Sequence, residues 1–376
     1  MANTEHDNFF EEFINKFNDE IKQMGHANLI ISGKTGVGKS TLINASFRED
    51  IAETGIGEPV TDEIRMYSKD KFPLRIYDTM GLELSADRQE HAVNQIKELC
   101  EKKKATGNKD ELIHAMWYCV HGNGARFEPY EEAFVNEVSK EMPVIIVLTQ
   151  CIIKSLAENL KKEIEKKNTK ASNIFIVRAQ SYLDDDGKDL QAFGVPALVE
   201  YTYSILPQAA QKAWVNAQKA SLKIKQERAQ AVVIATATTS FSEGYIPLPF
   251  SDSFALVPTQ IGMIAGITAI YGLEISKSLL TGIVSSLVGT ASTTLAGKTL
   301  VANILKLIPG VGTAVGGTIS GTTAALLTTA LGEAYIVVMN KVYTGEISPK
   351  DLESGAVKDE LSNILKDKLK KKSKEQ

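Results

Sequence analysis

The chain has 376 residues, 43% hydrophobic and 23% charged, an ordinary globular composition with length enough for two domains. A formal net charge of −4 argues against nucleic-acid binding by bulk electrostatics, so no nucleic-acid partner is expected. The cysteines Cys100, Cys119 and Cys151 and the five histidines are scattered, so neither a disulfide framework nor a zinc site is expected, and a reducing compartment fits best.

The N-terminus, MANTEHDNFFEEF, is acidic and amphipathic and is not read as a secretory signal. Residues 1–26 read as an amphipathic helix whose Phe9, Phe10, Phe13, Ile14 and Phe17 form an apolar stripe in need of a partner surface. From 27 to 205, apolar runs alternate with charged amphipathic ones. NLIIS, LRIYD, IHAMWYCV, VIIVLT and NIFIV read as strands buried on both faces, and EIRMYS as an edge strand. DRQEHAVNQIKELCEKKK, EPYEEAFVNEVSKE and KSLAENLKKEIEKK read as helices between them. This alternation predicts an α/β domain with a mostly parallel sheet and helices on both faces. Residues 206–228 read as one connecting helix. Charge then almost vanishes: from Ala229 to Asn340 the charged residues are Glu243, Asp252, Glu274, Lys277, Lys298, Lys306 and Glu333. Residues 229–345 are therefore expected to form an all-α, apolar, Gly/Ala/Thr-rich domain, followed by a polar helix and basic tail over 346–376.

Within the first domain, GKTGVGKS matches GxxxxGK[ST] between a predicted strand and a predicted helix. Gly33, Gly36 and Gly38 let the backbone turn tightly and aim its N–H groups inward, and Val37 and Thr41 complete the binding segment. Lys39 is placed to reach the β- and γ-phosphates, and the Ser40 hydroxyl to bind Mg2+. Asp78 ends the run LRIY, where a strand terminus sets it beside the loop to hold a metal-bound water. Gly81 of DTMG is placed to donate its N–H to the γ-phosphate, and Thr61 to close over Mg2+ and that phosphate. A P-loop nucleotide-binding domain is expected.

The P-loop, DTMG and Thr61 in PVT resemble the G domain of translation-factor-related GTPases, within them the septin and AIG-like branch. GARFEPYEEAF is similar to the acidic box of the AIG type. The resemblance, over about 28–203, implies GTP and GDP as ligands with Mg2+. Two departures stand out. The guanine-reading [NT]KxD motif is here Thr149, Gln150, Cys151 and Ile152, without its Lys or its Asp. Arg178 and Ala179 fall where such domains touch the base through the backbone. Leu82 follows DTMG, where Ras-like switches carry a water-orienting Gln. Some relatives compensate with potassium held by a P-loop Asn, but the matching position is Gly36. Others pair two G domains, which would make this chain a homodimer. Arg126 is the first candidate for a residue supplied in trans, with Glu83 and Arg65 behind it; pairing with Glu128 or Glu131 is the plain alternative for Arg126.

In the apolar region, 253–273, 278–297 and 307–332 are each uncharged over about a bilayer's span. Thr, Ser, Gly, Pro258 and Pro309 dilute them, and a bundle with a small-residue core reads similarly. Gly312 with Gly316, and Gly317 with Gly321, allow close helix packing in either medium. YIPLPFSDSF and LKLIPGVGTAVGG resemble a YcjF-like uncharacterised helical domain, which implies membrane association in some members. The C-terminal KDELSNILKDKLKKKSK reads either as a basic helix on an anionic surface or as a frayed end.

The leading expectation is a cytoplasmic, GTP-binding, slowly hydrolysing switch, at the membrane face if 229–345 contacts lipid. A nucleotide-binding structural protein with negligible turnover is the alternative. An ATP-using enzyme with a second substrate is weaker, since no second-substrate site is visible.

Overall fold

The computed structural model describes residues 2–49, 56–60, 64–79, 89–124, 126–183, 186–242, 246–247, 258–273, 318–319, 321–348 and a few positions between 363 and 371. In chain order these form α1 (Ala2–Gln23), β1 (Ala27–Ser32), α2 (Lys39–Ser46), β2 (Ile56–Pro59), β3 (Arg65–Ser68), β4 (Leu74–Asp78), α3 (Gln89–Ala105), β5 (Ala115–His121), α4 (Pro129–Val138), β6 (Val144–Thr149), α5 (Lys154–Lys166) and β7 (Asn173–Ile176). There follow β8 (Tyr182–Leu183), β9 (Asp189–Leu190), α6 (Val195–Ile205), α7 (Gln208–Ala217), α8 (Leu222–Ser242), β10 (Ile246–Pro247), α9 (Pro258–Tyr271), β11 (Thr318–Ile319) and α10 (Gly321–Thr344). The chain divides into two compact units: Met24–Ser221, and Met1–Gln23 together with Leu222–Gln376.

The first unit is built on a sheet of order β2-β3-β4-β1-β5-β6-β7. β4, β1, β5, β6 and β7 run parallel, and β2 and β3 are antiparallel additions. The central strands β1 and β6 are buried along their whole length, as unbroken apolar runs covered on both faces should be. EIRMYS, expected at the edge, instead lies one strand in, paired with β2. That outer strand, IGEP, has no alternation to betray it. Its proline suits an edge, where a missing N–H breaks no ladder.

The stretch 206–228, expected as one helix, is divided between α7 and α8. Gln218 is fully buried and closes the break: its Nε2 donates to the Ser221 carbonyl at 2.8 Å and its Oε1 accepts the Ser221 N–H at 2.8 Å. Trp214 of α7 is buried edge-on against Phe47 and Trp117, with centroids 5.3 and 5.8 Å away, and donates Nε1–H to the Val199 carbonyl at 3.1 Å. Burying a large aromatic with its polar atom satisfied is what makes α7 part of the α/β unit.

In the second unit, α1, α8, α9 and α10 share one core. Phe13 is fully buried in it, stacked on Phe17, and Ile14 and Phe17 lie partly buried against it. The expected stripe of α1 thus finds its partner here; the side chains of Phe9 and Phe10 lie outside the described residues. Gly332 lets α10 approach α8 and α9, because a Cβ there would stand 2.5 Å from Val233 and 2.9 Å from the Met263 sulfur. Several polar side chains inside this core are paired: Thr268 with the Tyr335 hydroxyl at 2.7 Å, Tyr271 donating to Asn340 at 2.5 Å, and Gln260 donating to Thr328 at 3.2 Å. The buried Lys225 ammonium donates to the last carbonyls of α9, Ile270 at 2.9 Å and Tyr271 at 3.2 Å, where the helix end is negative. Ile364 packs against the same core and Lys368 pairs with Glu333 at 3.3 Å, so these tail positions are tied to the bundle.

No helix among the described residues is long and apolar enough to cross a membrane. Of the stretch 253–273, the helix occupies 14 residues, about 21 Å against a hydrocarbon core of about 30 Å. The stretch 278–297 and residues Gly312, Gly316 and Gly317 lie outside the described residues.

Candidate functional site

The loop from Gly33 to Gly38 leaves the C-terminal end of β1 and enters α2, the place where parallel sheets bind ligands. Gly33 is required there: its φ is +136°, and a Cβ would stand 2.3 Å from the Cys119 carbonyl of β5. Gly38, at φ +93°, makes the turn into the helix. The loop's carbonyls are drawn to other partners. Lys39 Nζ donates to the Gly33 carbonyl at 2.8 Å and to that of Lys34 at 3.3 Å. Gln150 Nε2 donates to the Gly36 carbonyl at 2.7 Å, Thr149 Oγ1 to that of Val37 at 2.5 Å, and the Leu42 N–H to that of Gly38 at 3.0 Å. Amides can face an anion only if the carbonyls turn elsewhere, as these do, although the Val37 N–H is itself bonded to the Lys34 carbonyl at 3.3 Å. Ser40 and Thr41 follow Lys39 in the first turn of α2, whose N-terminus favours negative charge.

Asp78 closes β4 beside β1, paired in register with Ile31. The following Thr79 is buried, its hydroxyl donating to Ser32 Oγ at 2.9 Å and its N–H to the Ile31 carbonyl at 3.2 Å, which fixes the strand end. Asp78 Oδ1 is buried without a hydrogen-bond partner among the described residues. Burial pushes its carboxyl above the usual range, and the Lys39 charge pulls the other way. An orphaned carboxylate oxygen beside a phosphate-type loop fits a missing hydrated cation. Ser40 and Asp78 therefore suit Mg2+, which would neutralise phosphate charge there. Thr61, the third expected ligand, and Gly81, Leu82 and Glu83 lie outside the described residues.

A second anchor reaches the loop from α4. Glu131 is buried and accepts the Tyr118 hydroxyl at 3.1 Å and the Glu128 N–H at 2.8 Å. The ammonium of Lys34, inside the P-loop, lies 3.7 Å from its carboxylate and 5.5 Å from the centre of the Tyr130 ring. A hydrogen bond with Tyr130, assisted by the charges of Glu131 and Glu128, raises the Lys34 ammonium above its ordinary value. Glu131 thus faces Lys34, and the exposed Arg126 makes no ion pair among the described residues. Sequence reasoning missed Lys34, Thr79 and Glu131 as site residues. Only the acidic box around Glu131 gave a signal.

At the far side, residues 150–153 form a braced loop. Gln150 is held in a left-handed conformation, φ +53°, by its bond to Gly36. Arg178 donates to the carbonyls of Cys151 at 3.1 Å and Ile152 at 2.9 Å, and its guanidinium lies 5.1 Å from the centre of the Phe193 ring. Its own N–H and carbonyl are paired with Phe193. Ala179 follows it, three residues beyond the last residue of β7, Ile176. Cys119 and Cys151 are buried, which pushes their thiols up to about 12 and about 11, so neither is a nucleophile at neutral pH.

Residues 28–150 match the family model described as 50S ribosome-binding GTPase, and residues 208–371 match a domain of unknown function, DUF697. With the loop, Lys39 and Asp78 in place, the first unit is a GTP-binding P-loop GTPase domain, and the chain continues into a helical domain of the DUF697 kind. Human septin-9 is 23% identical over 195 residues, covering 45% of this chain and 33% of the septin, and mouse septin-9 matches to the same extent. Magnetosome membrane protein 22 of Magnetospirillum gryphiswaldense is 32% identical over 91 residues, 24% of this chain and 47% of that protein. The chain thus spans a third to a half of the length of these curated relatives.

Two outcomes are expected. An ionised, unpartnered Asp78 costs stability. Its raised folded value makes the folded state bind more protons, so stability falls as pH rises through the carboxylate range. Asp78→Asn should therefore raise the melting temperature of nucleotide-free protein at neutral pH while removing the Mg2+ dependence of nucleotide binding; scanning calorimetry and titration with and without EDTA check both. In a denaturant double-mutant cycle, Lys34→Met and Glu131→Gln should couple by about 0.5 kcal/mol, small because Lys34 is half exposed.

Proposed function

We propose that the protein is a slowly hydrolysing GTP switch whose nucleotide state controls its helical domain. The observation that carries this reading is the glycine loop whose carbonyls are taken by Lys39, Thr149 and Gln150, with the orphaned Asp78 oxygen beside it. Lys39 and the loop from Gly33 to Thr41 hold the phosphates, and Ser40, Thr61 and Asp78 hold Mg2+. Gly81 contacts the γ-phosphate, Thr149 and Ala179 border the base, and Arg178 braces the loop under it. Thr61 and the segment after Gly81 respond to the γ-phosphate.

The chain crosses between the units at Gln23–Met24 and again at Ser221–Leu222, so both crossings are available to pass that response to the helical domain. Its output is self-assembly or association with the cytoplasmic face of a membrane, and the likeness to a magnetosome membrane protein supports the second. With Leu82 in place of a water-orienting Gln, hydrolysis waits for a second G domain, and Arg126, exposed and without an ion-pair partner among the described residues, is the residue we assign to act in trans. Leu82 also favours the second reading, an interaction protein that holds nucleotide with negligible turnover.

GTP turnover per molecule should rise with protein concentration, vanish in Lys39→Ala, and fall in Arg126→Ala without loss of GTP binding. A rate per molecule that stays flat with concentration would remove the dimer. Turnover indistinguishable from Lys39→Ala would leave the second reading standing.

A further inference from the structure

Resting on the nucleotide reading above, the structure also bears on which base is accepted. Asp78 ends β4, on one side of β1, while β5, β6 and β7 lie on the other side. A nucleotide whose terminal phosphates and metal face Asp78 must extend its sugar and base over the ends of β6 and β7. The rim there is made of residues 149–156 and 177–180, TQCIIKSL and VRAQ, which hold no carboxylate.

The polar backbone of this rim is already committed. Asn123 Oδ1 accepts the N–H groups of Ile152 at 2.7 Å and Ile153 at 3.1 Å, and its Nδ2 donates to the Ile153 carbonyl at 2.7 Å. Arg178 takes the carbonyls of Cys151 and Ile152. The Ile152 side chain, 41% exposed, is left at the surface of the loop. Of the β7 end, the Arg178 N–H is spent on Phe193, whereas the Ala179 N–H has no partner among the described residues.

An N–H donor can accept a purine bearing oxygen at C6 and is mismatched to one bearing an amino group there. Reading the 2-amino group needs an acceptor, and Ile152 offers none. We infer that this site leaves the 2-amino group of a 6-oxopurine nucleotide unread, so that GTP and inosine triphosphate bind alike. Ile152 is the residue that sets this tolerance.

The test is competition of unlabelled GTP, ITP and ATP against labelled GTP on the full chain with Mg2+, for wild type, Lys39→Ala, Ile152→Ala and Ile152→Asp. Wild type should separate GTP from ITP by less than about tenfold and bind ATP more weakly than either. Ile152→Ala should leave the GTP-to-ITP ratio unchanged, and Ile152→Asp should raise it by at least about tenfold, because the new carboxylate accepts a hydrogen bond from the 2-amino group that ITP lacks. Ile152 is exposed, so neither substitution threatens the fold. A wild-type preference for GTP over ITP beyond about tenfold, or a ratio that Ile152→Asp leaves unmoved, would each overturn the inference. ATP binding as tight as ITP, or binding that survives in Lys39→Ala, would instead overturn the nucleotide reading beneath it.

Discussion

A backbone loop that offers its N–H groups to phosphate must first dispose of its carbonyls. Here the end of β6 does much of that: Thr149 and Gln150 take the carbonyls of Val37 and Gly36, and Lys39 takes that of Gly33. The rest of the α/β unit serves this arrangement. The parallel register of β1, β5 and β6 brings Thr149 to the loop. Gly33 permits contact with β5, and Gln150 accepts an unfavourable backbone conformation to reach Gly36. Lys39 has partners that it can exchange for phosphate, so the loop is held in shape while its cation stays available.

The electrostatics on the two sides of β1 differ, and the difference gives the site direction. On the β4 side, a buried carboxylate oxygen lacks a partner and sits near one lysine, an arrangement that a divalent cation would relieve. On the β6 and β7 side, residues 149–156 and 177–180 hold no acid, and an exposed isoleucine lies on a loop braced by Asn123 and Arg178. The anchor through Lys34 and Glu131 adds a mechanical tie from α4 to the same loop. It runs through the stretch whose acids resemble an AIG-type box.

Much of this was legible in the sequence because it is local. GxxxxGKS needs only consecutive residues to define a phosphate loop, and the unbroken apolar runs announce β1, β5 and β6. What escaped depends on distant partners. IGEP pairs with β3 without any alternation of its own. The break at Gln218 exists because a buried amide folds back onto Ser221. Gln150 read as the loss of a lysine, yet its amide bridges to Gly36 across 114 positions of sequence. The acids after Arg126 read as an acidic box or as partners for Arg126, and one of them, Glu131, is buried with the Lys34 ammonium of the P-loop 3.7 Å away. In the helical unit, weak hydropathy left bundle and membrane span undivided; the paired Thr268, Tyr271, Gln260 and Tyr335 show where those polar residues go.

The most direct test of the account is amide hydrogen exchange on the full chain with and without Mg2+ and GTP. Slowed exchange should appear at Gly36 to Ser40 and at Ala179, and Lys39→Ala should abolish it. Unchanged exchange in the loop, or a nucleotide effect that Lys39→Ala leaves intact, would contradict the claim that this loop is where the nucleotide binds.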